Sequence, residues 1–168
     1  MLSSYLPYLL PFAFTVNQTS AQLLNLTAIS ARHNASTLEC WQLLTPPTTF
    51  AGATNFPLGD ATDAYLGVIA PHTHIGQAWA AHPQFSIFLS GLALITLPDS
   101  SHEAWVQGGK YGMIIAADTK SVSASGHITD FPGKDETVIA EWPCAGGIVP
   151  EHAVLHEGPC GLQELLGV

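Results

Sequence analysis

The stretch from Phe85 to Leu97 constrains this chain most: two apolar, β-prone runs, Phe85 to Leu89 and Leu92 to Leu97, meet at Ser90-Gly91. Two residues between such runs leave room only for a tight hairpin, because Gly supplies the positive φ that a two-residue turn demands. The same rhythm recurs on both sides. Leu38 to Leu44, Ala64 to Ala70, Ala104 to Val106, Met113 to Ala117 and Thr137 to Trp142 are further short runs of this kind. Turn-forming segments such as Pro98-Asp99-Ser100-Ser101 and Gln107-Gly108-Gly109-Lys110 divide them. From about Thr37 onward no long stretch spaces its apolar residues at three and four, as a helix would. A short helix is expected only at Gln163 to Leu166.

Strands of this length bury an apolar face by closing into a barrel or stacking as two sheets. The 168 residues suffice for one such domain, placed at 22–160 with a C-terminal tail at 161–168. An immunoglobulin-like sandwich needs one Cys on each of two facing strands around a Trp, and Cys40-Trp41 does not supply that spacing. With 47% hydrophobic and 10% charged residues, the chain is too apolar to stay disordered.

A formal charge of −9 repels phosphate backbones and anionic membranes, which leaves a small molecule as the expected partner rather than nucleic acid or a membrane. Leu2 to Val16 is apolar but broken by Pro7 and Pro11, and small residues follow at Thr19 to Ala21. This fits a secretory signal at residues 1–21. The lack of Lys or Arg before Arg32 leaves a cytoplasmic chain as the alternative. A transmembrane helix needs about 20 unbroken apolar residues. Sequons begin at Asn17, Asn25 and Asn34, and in a secreted chain the latter two are candidate glycan sites. Three cysteines permit one internal disulfide; Cys144 with Cys160 closes the shortest loop, and Cys40 is an alternative partner for either.

Eight His among so few charges draw attention to Pro71-His72-Thr73-His74. Residues two apart in a strand point to one face and can hold one metal together, and imidazole suits iron, copper, nickel or zinc. His152 and His156 would share a helix face, but Pro150 and Gly158-Pro159 leave no room for a helix, so this segment reads as solvated. Asp118, Asp130, Asp135, Glu136 and Glu141 are scattered and read as charges of exposed turns. No nucleophile elbow, phosphate-binding loop or dinucleotide fingerprint occurs.

Downstream of His72 and His74, the segment His82 to Leu97 sets Gln84 six intervening residues before Gly91, and Gly126-His127-Ile128-Thr129 follows. Together these residues resemble the two motifs of the cupin superfamily, over roughly Tyr65 to Trp142. The resemblance implies an all-β, single-domain double-stranded β-helix, the jelly-roll barrel. It puts His127 at the histidine of the second motif and Gln84 in the place of the acidic ligand. Nine residues separate His74 from Gln84, a longer spacer than the family has, so His72, His74, His82 and Gln84 remain alternatives beside His127 as ligands of a divalent transition metal. Gln offers a carbonyl oxygen but no charge, which loosens the hold on a cation. Trp79, Phe85 and Tyr111 are the aromatic residues expected to line the substrate pocket, with Phe88 in the core.

The chain looks most like the small single-domain cupins of fungi. That likeness implies a metal-dependent oxidoreductase tailoring an aromatic or polyketide-derived molecule, with His72, His74 and His127 as catalytic residues, and it makes a homodimer an expectation. Without metal, the same imidazoles would serve an isomerase, cyclase or dehydratase as general bases. A secreted, non-catalytic binding protein is the third reading.

Overall fold

The computed structural model describes residues 22–165; the expected signal segment 1–21 with its Asn17 sequon and the last three residues lie outside them. The strands are β1 (Asn25–Arg32), β2 (Ala35–Leu43), β3 (Thr48–Phe50), β4 (Ala53–Asn55), β5 (Tyr65–Ile69), β6 (Thr73–Ala78) and β7 (Gln84–Ser90). They continue with β8 (Leu92–Leu97), β9 (Ser100–Gln107), β10 (Met113–Ala116), β11 (His127–Phe131), β12 (Thr137–Pro143) and β13 (His152–Glu157). The expected runs are all strands. β1, β3, β4, β6, β11 and β13 are additions, and His152 to His156, expected to be solvated, is a mostly exposed edge strand paired with β2. Of the short helix expected at Gln163 to Leu166, Gln163 and Glu164 lie in a turn, Leu165 is 3-10, and Leu166 lies outside the described residues.

The larger sheet runs β13-β2-β1-β10-β7-β12-β5 and the smaller β6-β11-β8-β9, with β3-β4 a separate hairpin. Among the described residues the pairings between these strands are antiparallel except β1 with β10, and an isolated bridge of Ala80 with Thr119 is also parallel. This is the all-β jelly roll, and its hairpin between β7 and β8 turns at Gly91. A side chain there has no room, since a Cβ would fall 2.6 Å from the Thr137 backbone, and φ is +84°.

The period of two sorts the central strands of the larger sheet, β2, β1, β10, β7 and β12, between two cores. Even positions of β7 and β10, such as Phe88 and Ile114, meet Ile95, Val106 and Phe131 of the smaller sheet. Odd positions, such as Phe85 and Ile115, face the other way and pack with Leu26, Trp41 and Leu43 under the loop that carries Phe56 and Leu58. Buried Glu39 on β2 is paired with Arg32 and accepts from Trp41 Nε1 at 2.7 Å, so a charge sealed behind the sheet is not left alone.

Cys40 bonds Cys160, with Cα atoms 4.5 Å apart, which pins the C-terminal segment to β2. The favoured pairing of Cys144 with Cys160 is not formed, because Cys144 lies in the Phe85 and Trp41 core. Leu165 packs beside the disulfide and the Glu164 carbonyl accepts from Asn25 Nδ2 at 2.9 Å, so the tail is part of the domain as far as it is described. Asn25 is thus buried and engaged, whereas Asn34 is exposed in the β1–β2 turn.

Burial pushes the Cys144 thiol up to about 11. In the native protein it should resist alkylation at pH 8, and after unfolding without reductant it should be the one residue a maleimide labels, as read by peptide mass spectrometry. Cys160→Ala, which opens a link spanning 120 residues, should lower stability by about 4 kcal/mol in urea titration.

Candidate functional site

The edge strands of the two sheets, β5 and β6, follow one another through the turn at Pro71-His72, and between them opens a cavity of about 380 Å³. Its depth is hydrocarbon: Ile29, Phe88, Ile114 and Ile139 come from the core between the sheets. Polar side chains gather on one wall. β12 sets Glu141 opposite Ser86 of β7 and Tyr65 of β5, two positions beyond Ile139 and therefore on the inner face. Gln84 enters the same face two positions before Ser86.

Gln84 Nε2 and Ser86 Oγ both donate to Glu141 Oε2 at 2.7 Å. Burial pushes the Glu141 carboxyl above its ordinary range; the two hydrogen bonds and the nearby His127 imidazole oppose that rise without cancelling it. Tyr65 is raised as well, by burial and by the Glu141 charge, so its phenol keeps its proton.

His127 reaches the cavity from β11. Its Nδ1 lies 2.8 Å from Asp118 Oδ2, and Asp118 is fully buried. Ser36 Oγ donates to the same oxygen at 2.6 Å. A hydroxyl has one proton, so Ser36 must then accept from Ser123 Oγ, 2.7 Å away, which in turn accepts from Gly126 N–H at 3.1 Å. The carboxylate is an acceptor only, which makes Nδ1 the protonated nitrogen of the neutral ring and leaves the Nε2 lone pair free.

The segment that supplies Ser123, between β10 and β11, is clamped to the β1–β2 turn: Ala124 N–H donates to Asn34 O at 2.8 Å and Ser36 N–H to Ser125 Oγ at 2.8 Å. It also fixes Trp79, a cavity wall, through Nε1 to Ser123 O at 2.8 Å. Gly126 sits beneath that indole with φ +63°, where a Cβ would meet Ala78 O at 2.3 Å and the ring at 2.9 Å.

Of the residues singled out in the sequence, His127, Gln84 and Trp79 come together here. His72 and His74 do not. Thr129 pairs with Ile75 on the inner face, so His74, one residue before Ile75, points outward, where it pairs with Asp130 at 2.6 Å. His72 is exposed in the turn with φ +58°. His82 lines a separate cavity of about 280 Å³ beside Cys144 and Asp63, and its buried Nε2 has no protein partner. Phe85 is displaced from the expected pocket by strand parity and belongs to the opposite core. Tyr111 lies against Cys160 and Leu165, on another face of the barrel.

The donor set around His127 does not fit a transition-metal centre with three protein ligands. Among the described residues, the group of His, Cys, Asp or Glu ligand atoms close enough to share an ion is Cys40, His156 and Glu164, and the Cys40 sulfur is spent in the disulfide. Two carboxylates read as surface charges, Asp118 and Glu141, prove to be the core of the site. Their signal was available: Glu141 keeps the period of Thr137 and Ile139, and Asp118 closes the apolar run Met113 to Ala117 just before a series of alternating serines.

No protein-family model matches the sequence, and no curated protein matches it. Among solved structures, the capsular polysaccharide assembling protein CapF from Staphylococcus aureus aligns with a TM-score of 0.40 at 15% identity over 70% of this chain. The chain spans 29% of CapF. The conserved SPY1581 protein of unknown function from Streptococcus pyogenes aligns with a TM-score of 0.34 at 18% identity, over 49% of this chain and 67% of that one.

Gly126→Ala should cost about 2 kcal/mol or more in urea unfolding and shift the Trp79 emission, because both the backbone angle and the indole must give way. Glu141→Gln tests the burial of the carboxyl. A raised folded-state pKa means that ionisation penalises the native state as pH climbs from the unfolded toward the folded value. The stability of the variant relative to wild type should therefore rise through that window and then level off above it.

Proposed function

We propose that the chain is an acid–base catalyst of proton transfer on a small organic molecule, in the manner of an isomerase, cyclase or dehydratase. The observation that carries this reading is the buried Asp118 carboxylate on His127 Nδ1, behind an imidazole that lines a largely apolar cavity. Nε2 is the general base: with Nδ1 occupied, its lone pair is the one available to take a substrate proton, and Asp118 stabilises the imidazolium that results. Glu141 is the partner on the same cavity. Burial raises its pKa above that of an exposed carboxyl, so a proton taken by His127 at one atom of the substrate can be matched by one that Glu141, once protonated, delivers at another.

The metal-dependent tailoring oxidoreductase implied by the cupin resemblance has less support. It needs several imidazoles at one centre, and His72, His74 and His82 stand elsewhere. A binding protein without catalysis has no use for a buried carboxylate that fixes a tautomer, and that detail favours the enzyme.

The test is solvent exchange at carbon. In D₂O the protein should speed loss of the CH₂ proton signals of 2-hydroxyacetophenone in ¹H NMR, and His127→Gln should lower that rate about a hundredfold or more. Asp118→Asn, whose amide can donate to Nδ1 and so reverse the tautomer, should lower kcat with KM unchanged. Exchange that is indifferent to both substitutions contradicts the proposal.

A further inference from the structure

A tally of hydrogen-bonding capacity on the polar wall points to the kind of molecule it receives. Gln84 Nε2 gives one of its two N–H to Glu141, and the Ser86 hydroxyl gives its single proton there. Trp79 Nε1 is spent on Ser123 O, and His127 Nδ1 on Asp118. What these four side chains and an ionised Glu141 leave open is mostly acceptors: beside one N–H of Gln84 stand the amide oxygen of Gln84, Oε1 of Glu141 and Nε2 of His127, none of which has a protein partner among the described residues. The hydroxyls of Tyr65 and Thr129, also on the wall, serve either way. A ligand that offers only acceptors would leave these groups desolvated and unmatched, at a cost for each.

Charge adds a second restriction. None of the chain's four basic residues lines the cavity. Lys120 has Nζ 5.1 Å from the centroid of the Trp79 ring but does not line the cavity. A carboxylate or phosphate in the cavity would face Glu141 with no counter-ion beside it, in a protein of net charge −9.

We infer that the substrate is a non-anionic, mostly hydrocarbon molecule that presents an O–H or N–H donor, an alcohol, phenol or amine, to Gln84, Glu141 and His127. The inference rests on the proton-transfer reading only for the location of the site, because what it predicts is binding and requires no turnover. The hydrocarbon body lies against Phe88, Ile114 and Ile139, and the donor group is held at the atoms that exchange protons with it.

Three naphthalenes of similar size separate the contributions. By titration of the intact protein at pH 7, 2-naphthol (donor) should bind about tenfold or more tightly than 2-methoxynaphthalene (acceptor only) and than 2-naphthoate (anion). In Glu141→Gln the preference of naphthol over its methyl ether should shrink several-fold while the ether itself binds as before; Lys120→Ala should change neither ratio. Equal affinity for the three, no measurable binding of any, a preference untouched by Glu141→Gln, or tight naphthoate binding that Lys120→Ala abolishes would each overturn the inference. Since carbon exchange is measured separately, discrimination without exchange would refute the catalytic reading alone, and exchange without discrimination would refute this one.

Discussion

A buried carboxylate must be paid in hydrogen bonds, and Asp118 is where this molecule meets that demand. It lies between the end of β10 and the segment leading to β11, fully buried, with Ser36 of β2 and His127 of β11 on one oxygen. Those partners belong to both sheets. Satisfying the one acid therefore sets the relation of the larger sheet to the smaller and the orientation of the imidazole at the same time. Ser123 and Gly126 extend the chain of donors, so that each bond polarises the next. The second oxygen of Asp118 is buried without a protein partner, so the two bonds on the first are all that the protein sets against the cost of burying this acid.

The same segment shapes the cavity. Ser123 holds Asp118 indirectly through Ser36 and holds Trp79 directly through its carbonyl, and Gly126 grants the indole its place. Proton acceptor, wall and backbone are thus linked through eight residues between Thr119 and Gly126. The Glu141 side shares no hydrogen bond with this network and is fixed by sheet register, which sets β7 beside β12, and by the bonds from Gln84 and Ser86 that this register allows. A stiff ladder carries the carboxyl, and a tight network of local hydrogen bonds carries the imidazole.

Much of the fold was legible because period and punctuation are local. The Ser90-Gly91 hairpin and the runs on either side of it name their own structure. β1 was less visible: Asn25 to Arg32 mixes polar and small residues, and its burial on both faces comes from central placement between β2 and β10, which only pairing decides. The site was legible in part. His127, Gln84 and Trp79 were found, while His72 and His74 were drawn in by a spacing of two that leaves His72 in an exposed turn and lets strand parity point His74 outward. Asp118 and Glu141 were passed over because an acid with few neighbours in sequence gives no hint of the partners that distant strands bring to it. The disulfide was misassigned for a similar reason. Loop length favours Cys144 with Cys160, but β12 and the C-terminal segment deliver those thiols to opposite sides of the larger sheet.

The central claim is that Asp118 fixes the proton on His127 Nδ1 and leaves Nε2 as a base. Nitrogen-15 NMR of histidine-labelled protein, at a pH where the ring is neutral, reads this without any substrate. The account predicts a pyrrole-type shift for Nδ1 with a proton that exchanges slowly, and a pyridine-type shift for Nε2. The reverse assignment, or two averaged shifts typical of a freely exchanging imidazole, would contradict it.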